Sequence, residues 1–335
     1  MMNKRLKQGT TFLLALALAF PLLTLPGARA ANAIETNRKC SVAFNVSGED
    51  NELTADGTDI IVNLYKVADV DVSGNYTATK DFTGLNVSSV SADDKDAAAS
   101  EWADRAKEAQ KMLKESVEPT ATVTLAAGTG SLADLATGLY LVDTPEVVTT
   151  NYTYTFTPYL VSLPTNNYYS NGNDDWIYDL TKEYNSAVGL KPEEHARYGD
   201  LKINKTLAHH NATTGKKATF VFKIEITPLK GKTETRIESL DFEAAGDSSV
   251  TITKIPAGAT VKVTEVYSGA SYKLISENDQ ETTIVATDKD AKGDPASVSF
   301  TNDVDDNMNG GYVVKNNFKL DENGQYQYTE PAEKN

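Results

Sequence analysis

Three polar residues stand where an alternating strand pattern calls for apolar ones. Alternate residues of a strand share a face. Across 201–207, Leu201, Ile203 and Leu207 share a face with Lys205, while Lys202, Asn204 and Thr206 face away. Val261, Val263 and Tyr267 share one with Glu265, and Val298, Phe300 and Val304 share one with Asn302. A lysine, a glutamate and an asparagine therefore point toward one core from three strands.

An isolated buried charge is unstable, so such groups pair, neutralise or escape burial. Lys205 and Glu265 can form a buried ion pair with Asn302 as a hydrogen-bonding neighbour, or a β-bulge can rotate one of the three outward. The remaining option is covalent. Desolvation favours a neutral Lys205 amine, which can attack the side-chain carbonyl of Asn302. It also lets Glu265 hold a proton, polarise that carbonyl and shuttle protons to departing ammonia. Phe300 and Tyr267 would keep water out. The product is an uncharged buried isopeptide made once per molecule, so the expectation is self-modification and not an enzyme with turnover.

The elements that must position this trio read as short strands. Residues 200–320 form an all-β block with segments at 201–207, 218–226, 249–252, 260–267, 282–286, 296–301 and 312–318, a spacing that predicts a Greek-key, immunoglobulin-like sandwich. Residues 31–190 form a first β-rich block with segments at 60–67, 120–125, 138–142, 152–163 and 176–180. Inside it, Trp102, Ala106, Ala109 and Leu113 fall at helical spacing within 91–117, which predicts one amphipathic helix covering a sheet. The polar stretch 191–199, with Pro192, reads as a linker. The blocks echo each other: 132–143 and 252–265 both run from an apolar residue through a short glycine-containing turn into an alternating strand ending in an acid. The expected fold class is mainly all-β, two related modules in tandem.

Composition narrows the function. The 335 residues suffice for about two domains. With 47 acidic against 32 basic residues and a net charge of −15, nucleic acid is not an expected partner. A single cysteine, Cys40, allows no intrachain disulfide and no thiolate zinc cluster. Residues 1–30 have the form of a secretory signal: Lys4, Arg5 and Lys7, an apolar run, then Ala28-Arg29-Ala30. Its removal takes four positive charges and no negative ones, so the mature chain carries −19 and no further membrane span is expected. The polar tail 321–335 holds no terminal sorting signal. Asp305, Asn307 and Asn309-Gly310 begin like a calcium loop, but Asn316 stands where its glutamate would be, and His195, His209 and His210 lack metal-ligand spacing. No metal or cofactor is expected.

Gly199-Asp200-Leu201-Lys202-Ile203-Asn204-Lys205, Ile255-Pro256-Ala257-Gly258 leading into Val263-Thr264-Glu265, and Phe300-Thr301-Asn302 resemble the motifs of Gram-positive pilin and surface-adhesin domains with intramolecular isopeptide bonds. Leu64-Tyr65-Lys66-Val67-Ala68, Gly138-Leu139-Tyr140-Leu141-Val142 and Pro158-Tyr159-Leu160-Val161-Ser162-Leu163-Pro164 resemble the N-terminal domain of such pilins. The resemblance implies an extracellular, cell-surface shaft or adhesin subunit with immunoglobulin-like domains, assembled with other pilin subunits by a sortase. It implies a Lys205–Asn302 cross-link catalysed by Glu265.

The chain departs from that family in three places. The C-terminal Leu-Pro-x-Thr-Gly signal, apolar span and basic tail are missing. The pilin motif begins at Trp176 and Leu180, then gives way to Lys182, Glu183, Tyr184 and Asn185. Lys191 is the first candidate for the intermolecular lysine and Lys182 the second; a solvated linker lysine is the plain alternative. In the first block Lys66 and Asp143 lie on apolar faces, but no asparagine completes a trio, so no isopeptide is expected there. A second functional reading is a secreted or tip adhesin whose first domain binds a host protein or glycan.

Overall fold

The computed structural model describes residues 23–24, 33–46, 52–55, 57–91, 95–167, 173–181, 188–211, 217–269, 271–289, 291, 293–305, 317–320 and 326–329. Most of the expected signal segment, Lys182 and much of the 321–335 tail lie outside the described residues. The chain divides into two compact units: residues 1–149 with 154–194, and residues 150–153 with 195–335. Both are built chiefly from strands. Among the described residues no helix is long and apolar enough to cross a membrane.

The first unit holds strands β1 (Cys40–Asn45), β2 (Asp59–Val70), β3 (Tyr76–Ala78), β4 (Ala121–Ala126), β5 (Thr129–Leu135), β6 (Gly138–Asp143), β7 (Tyr159–Leu163), β8 (Asp179–Leu180) and β9 (Val188–Gly189), with helix α1 (Lys95–Met112) between β3 and β4. They form one sheet in the order β7-β6-β2-β4-β5-β1-β8, with β3 paired to β2 and β9 to β1. Alternation sets the burial. Cys40, Val42 and Phe44 of β1 point inward, as do Ile60, Val62 and Leu64 of β2. Helix α1 buries Ala98, Trp102, Ala106 and Ala109, three or four residues apart, against Val67, Leu139, Leu141 and Leu160.

Three expected elements differ here. The segment 152–163 splits into Tyr152–Phe156 and Tyr159–Leu163, because Pro158 supplies no N–H for a ladder. The segment 176–180 splits at Tyr178: Asn173–Ile177 pairs with Thr165–Asn167, while β8 runs parallel to β1. The stretch read as a linker, 191–199, does hold the boundary between the units at 194/195, but it is built as the strand Pro192–Ala196, with the next strand beginning at Tyr198. Pro192 sits at a strand start, where a missing donor is tolerated. Arg197, 8% exposed, fixes the stretch: its guanidinium holds Asp288 through two bonds, of 2.8 and 2.6 Å, and its backbone carbonyl accepts from Ala257 N at 2.9 Å.

The second unit is a sandwich. Its strands are β10 (Tyr198–Leu207), β11 (Ala218–Thr227), β12 (Glu234–Phe242), β13 (Gly246–Pro256), β14 (Thr260–Tyr267), β15 (Tyr272–Leu274), β16 (Asp279–Thr283) and β17 (Ala296–Val304). One sheet has the order β13-β10-β17-β15 and the other β12-β11-β14-β16. Between them lies a core that includes Leu201, Ile203, Phe220, Phe222, Ile224, Val261, Val263 and Phe300. Strand β12 has no counterpart among the expected elements, because Ile237, Leu240 and Phe242 break the period of two. A hairpin of Asn317–Leu320 and Tyr326–Thr329 follows, so part of the stretch read as a polar tail is strand.

The two units share one local device. Cys40 pairs with Leu135 and Val42 with Leu132, so three steps along β5 match two along β1. Gly199 pairs with Ile255 and Leu201 with Ile252, the same bulge between β10 and β13. Each bulge holds a non-glycine residue at positive φ, Asp134 at 60° and Lys254 at 59°. In both units the first strand also has a parallel partner on its other edge, β8 and β9 in one and β17 in the other.

Candidate functional site

Two of the trio come from one sheet and the third from the facing sheet. Strand β10 lies between β13 and β17, and its parallel register on β17 sets Lys205 opposite Phe300 and Leu207 opposite Asn302. Lys205 and Asn302 are therefore diagonal neighbours on the inward face, a gap that a lysine stem spans. Glu265 enters from β14, opposite Phe222 of β11. Central strands bury both edges and one face, which takes these polar ends out of water.

The burial is nearly complete: Lys205 is 1% exposed, Glu265 5% and Asn302 0%. The three side chains form a closed hydrogen-bonded ring. Lys205 Nζ donates to Glu265 Oε2 at 2.7 Å and to Asn302 Oδ1. Asn302 Nδ2 donates to Glu265 Oε1 at 2.6 Å. The carboxylate thus faces the amine with one oxygen and the amide nitrogen with the other. Burial pulls the Lys205 ammonium below its usual range, opposed by its hydrogen bond and charge attraction to Glu265.

Aromatic rings enclose the amine. The Phe220 ring centroid lies 4.5 Å from Nζ and that of Phe222 5.9 Å, and Phe222 packs on Phe300 at 5.2 Å. Phe300 is where the alternation put it. Tyr267 is not part of the enclosure, which corrects the expectation from simple alternation. Phe222 pairs with Glu265 but Val221 with Tyr267, so Val266 is an extra residue. This bulge leaves Glu265 inward and turns Tyr267 to a half-buried position. Phe220 and Phe222 take its place. Their inward face was readable from Ala218, Phe220, Phe222, Ile224 and Ile226, but their nearness to Lys205 depends on the register between facing sheets.

The other candidates stand apart from the trio. Lys191 is exposed, and its backbone carbonyl accepts from Thr157 N at 3.1 Å. Lys182 lies outside the described residues. Lys66 pairs with Asp69 at 2.5 Å, while Asp143 accepts from Gln110 Nε2 at 2.6 Å, so the structure does not bring Lys66 and Asp143 together. Counting from the shared bulge, the residue of the first unit that matches Lys205 is Val46, 6% exposed. Cys40 is fully buried, and burial pushes its thiol up to about 11.

A family model described as a domain of unknown function (DUF5979) matches residues 201–305, a span that opens on β10 and closes just after Asn302. No curated protein matches the chain. Among solved structures, the chain is similar to the Bacillus anthracis TIE protein, with 12% identity and a TM-score of 0.29 over 79% of this chain and 34% of that one. This chain thus spans about a third of the TIE protein. It is also similar to the Corynebacterium diphtheriae major pilin SpaA, with 10% identity and a TM-score of 0.21 over 79% of this chain and 100% of that one. A third similarity is to GBS52, the minor pilin of Streptococcus agalactiae, with 13% identity and a TM-score of 0.24 over 82% and 99%.

Proposed function

We propose that the chain is an extracellular structural subunit of a sortase-assembled pilus or cell-surface fibre, and that its second domain locks itself with an isopeptide bond between Lys205 and Asn302. The observation that carries the cross-link is the bridging carboxylate: Glu265 Oε2 sits 2.7 Å from the nucleophile and Oε1 2.6 Å from the leaving nitrogen. A proton passes from Nζ to Glu265, and neutralising both partners removes two buried charges. The freed amine attacks Cγ of Asn302, the Nζ–Cγ bond forms and the Cγ–Nδ2 bond breaks. Nζ keeps one hydrogen, and the other two leave on Nδ2 as ammonium. Glu265 ends as it began. It acts as base at one oxygen and acid at the other without moving.

The rings of Phe220, Phe222 and Phe300 exclude the water that would otherwise hydrate the ammonium and compete at Cγ. The reaction runs once per chain, so the domain is its own substrate and has no turnover. The bond closes a span of 97 residues and ties the opening strand β10 to the closing strand β17. It supplies the tie that a disulfide would give in a chain with one cysteine, and reducing agents do not cleave it. A subunit under tension along a fibre is where such a tie is useful.

The test is the intact mass of the purified chain. Wild type should be lighter than its sequence by one ammonia, and Glu265→Ala should restore the full mass. An unshifted wild-type mass would leave only a buried ion pair and sink the cross-link. For assembly, a covalent ladder should form when the chain is co-expressed with a pilin-polymerising sortase; monomer alone would remove the fibre reading.

A further inference from the structure

The connection between β15 and β16 touches both reacting halves of the site. It crosses from the sheet that carries Asn302 to the sheet that carries Glu265. Strand β16 stops pairing with β14 at Thr264 and Asp279, so Glu265 lies one residue past the last ladder pair. Its N–H would face no backbone carbonyl there. The side chain of Asn278 supplies the acceptor instead: Glu265 N donates to Asn278 Oδ1 at 2.9 Å. This bond sits beside the bulge at Val266, where the ladder to β11 slips by one residue between the pairs Phe222–Glu265 and Val221–Tyr267.

The same connection grips the strand of Asn302. Ile275 N donates to Thr301 O at 2.9 Å, and Thr301 N donates to Ser276 Oγ at 3.1 Å. Gln280 then pairs with Ser299 through both ends of its amide, accepting from Ser299 N at 3.0 Å and donating to Ser299 O at 2.5 Å. Residues 275–280 thus bind the residue before Asn302 and the backbone of Glu265 in one short run.

We infer that Asn278 is a positioning residue for the cross-linking reaction, the point at which the 275–280 crossover sets Glu265 against Lys205 and Asn302. The inference rests on the proposed isopeptide chemistry and adds to it a residue that touches none of the reacting atoms. Its reach is through the backbone of Glu265: the ladder to β16 ends one residue earlier, so without the Asn278 acceptor the bulged ladder to β11 alone sets this residue's place, and a shift of about 1 Å in a proton-transfer group slows a reaction on the order of a hundredfold. The titratable group facing Glu265 from the other sheet is Lys205. Asp279, next to Asn278, is turned outward to Lys262 at 3.0 Å and Thr264 at 2.7 Å.

The experiment follows loss of ammonia with time in the full chain made by cell-free translation, read by intact mass from pH 5 to pH 9. Asn278→Ala should slow the loss about 10- to 100-fold. Asn278→Asp keeps an acceptor at the same place and should restore the rate, with the acidic limb of the pH profile moved to higher pH because a second carboxylate now lies near Glu265. Asn278→Ala reacting at the wild-type rate overturns the inference while the cross-link stands. Wild type that never loses ammonia overturns the chemistry on which it rests. If Asn278→Ala fails to fold, Asn278→Asp decides alone: a wild-type rate with an unmoved profile counts against Asn278.

Discussion

Lys205→Met combined with Glu265→Gln removes the nucleophile and both buried charges and leaves an amide pair between the new glutamine and Asn302. Any stability then lost belongs mainly to the missing bond, because no unpaired charge is left in the core. The proposed bond would join residues 97 positions apart, for which the chain-entropy model gives about 4.7 kcal/mol. The second unit's matched span is 201–305, and at roughly 2.1 cal/mol/K per residue its unfolding entropy converts that loss into a melting-temperature drop of about 20 °C. Scanning calorimetry of the full chain is the assay. The transition of the first unit serves as an internal reference, and the drop should be confined to the other transition. A double variant that melts within about 5 °C of a wild type that has lost ammonia would refute the loop-closure reasoning, since that is a quarter of the expected shift.

In the uncross-linked Asn302→Ala chain, Lys205 sits below its usual 10.5 in the folded state because of burial, so folding releases its proton. The unfolded chain binds more protons, hence stability should rise with pH between the lowered folded value and 10.5; urea titrations should show that slope, and its presence in Lys205→Met would count against this source. Gly199→Ala would set a Cβ 1.8 Å from Val285 O, so the start of β10 must shift, with a loss of about 1–3 kcal/mol in urea unfolding; an unchanged midpoint would show that the strand yields freely. Lys191→Ala should abolish the covalent ladder formed with a sortase; a persisting ladder transfers the role to Lys182 or another amine.

The trio was legible because burial of a polar side chain leaves a mark on a period-two pattern. Lys205, Glu265 and Asn302 each occupy a position that alternation assigns to the core, and all three are buried there. The rings around them were legible only in part. Tyr267 breaks step because a bulge adds Val266, and a bulge changes the side-chain period without any glycine or proline to announce it. Strand β12 was hidden for a related reason. It lies at an edge, and only its second half, Glu238–Phe242, alternates, while Arg236, Ile237 and Glu238 are all half-buried in succession. The stretch 191–199 reads as a linker by composition and the boundary between the units, 194/195, falls inside it; what composition does not show is its strand and the pairing of Arg197 with Asp288, 91 positions away. Local composition carries no trace of a partner that distant.

The echo between 132–143 and 252–265 bears on why the second unit alone carries the trio. The same bulge, with the same positive-φ residue, fixes the first strand of each unit against its neighbour, so the comparison runs residue by residue from Cys40 and Gly199. It brings Val46 onto Lys205. Valine at that inward position puts an apolar side chain where the second unit has its amine. The parallel strand that would supply the asparagine also differs. In the second unit it runs unbroken over nine residues from Ala296 to Val304, and its register delivers Asn302 to the lysine. Among the described residues of the first unit two short pieces pair in this way: Leu180 with Val42 and Val188 with Phe44, so eight positions on one side match two on the other. A continuous strand transmits register, and register is what holds a nucleophile and a carbonyl together long enough to react. The same framework thus carries an apolar side chain in one unit and the hydrogen-bonded Lys205–Glu265–Asn302 ring in the other, and a single substitution at Val46 would not convert the first into the second.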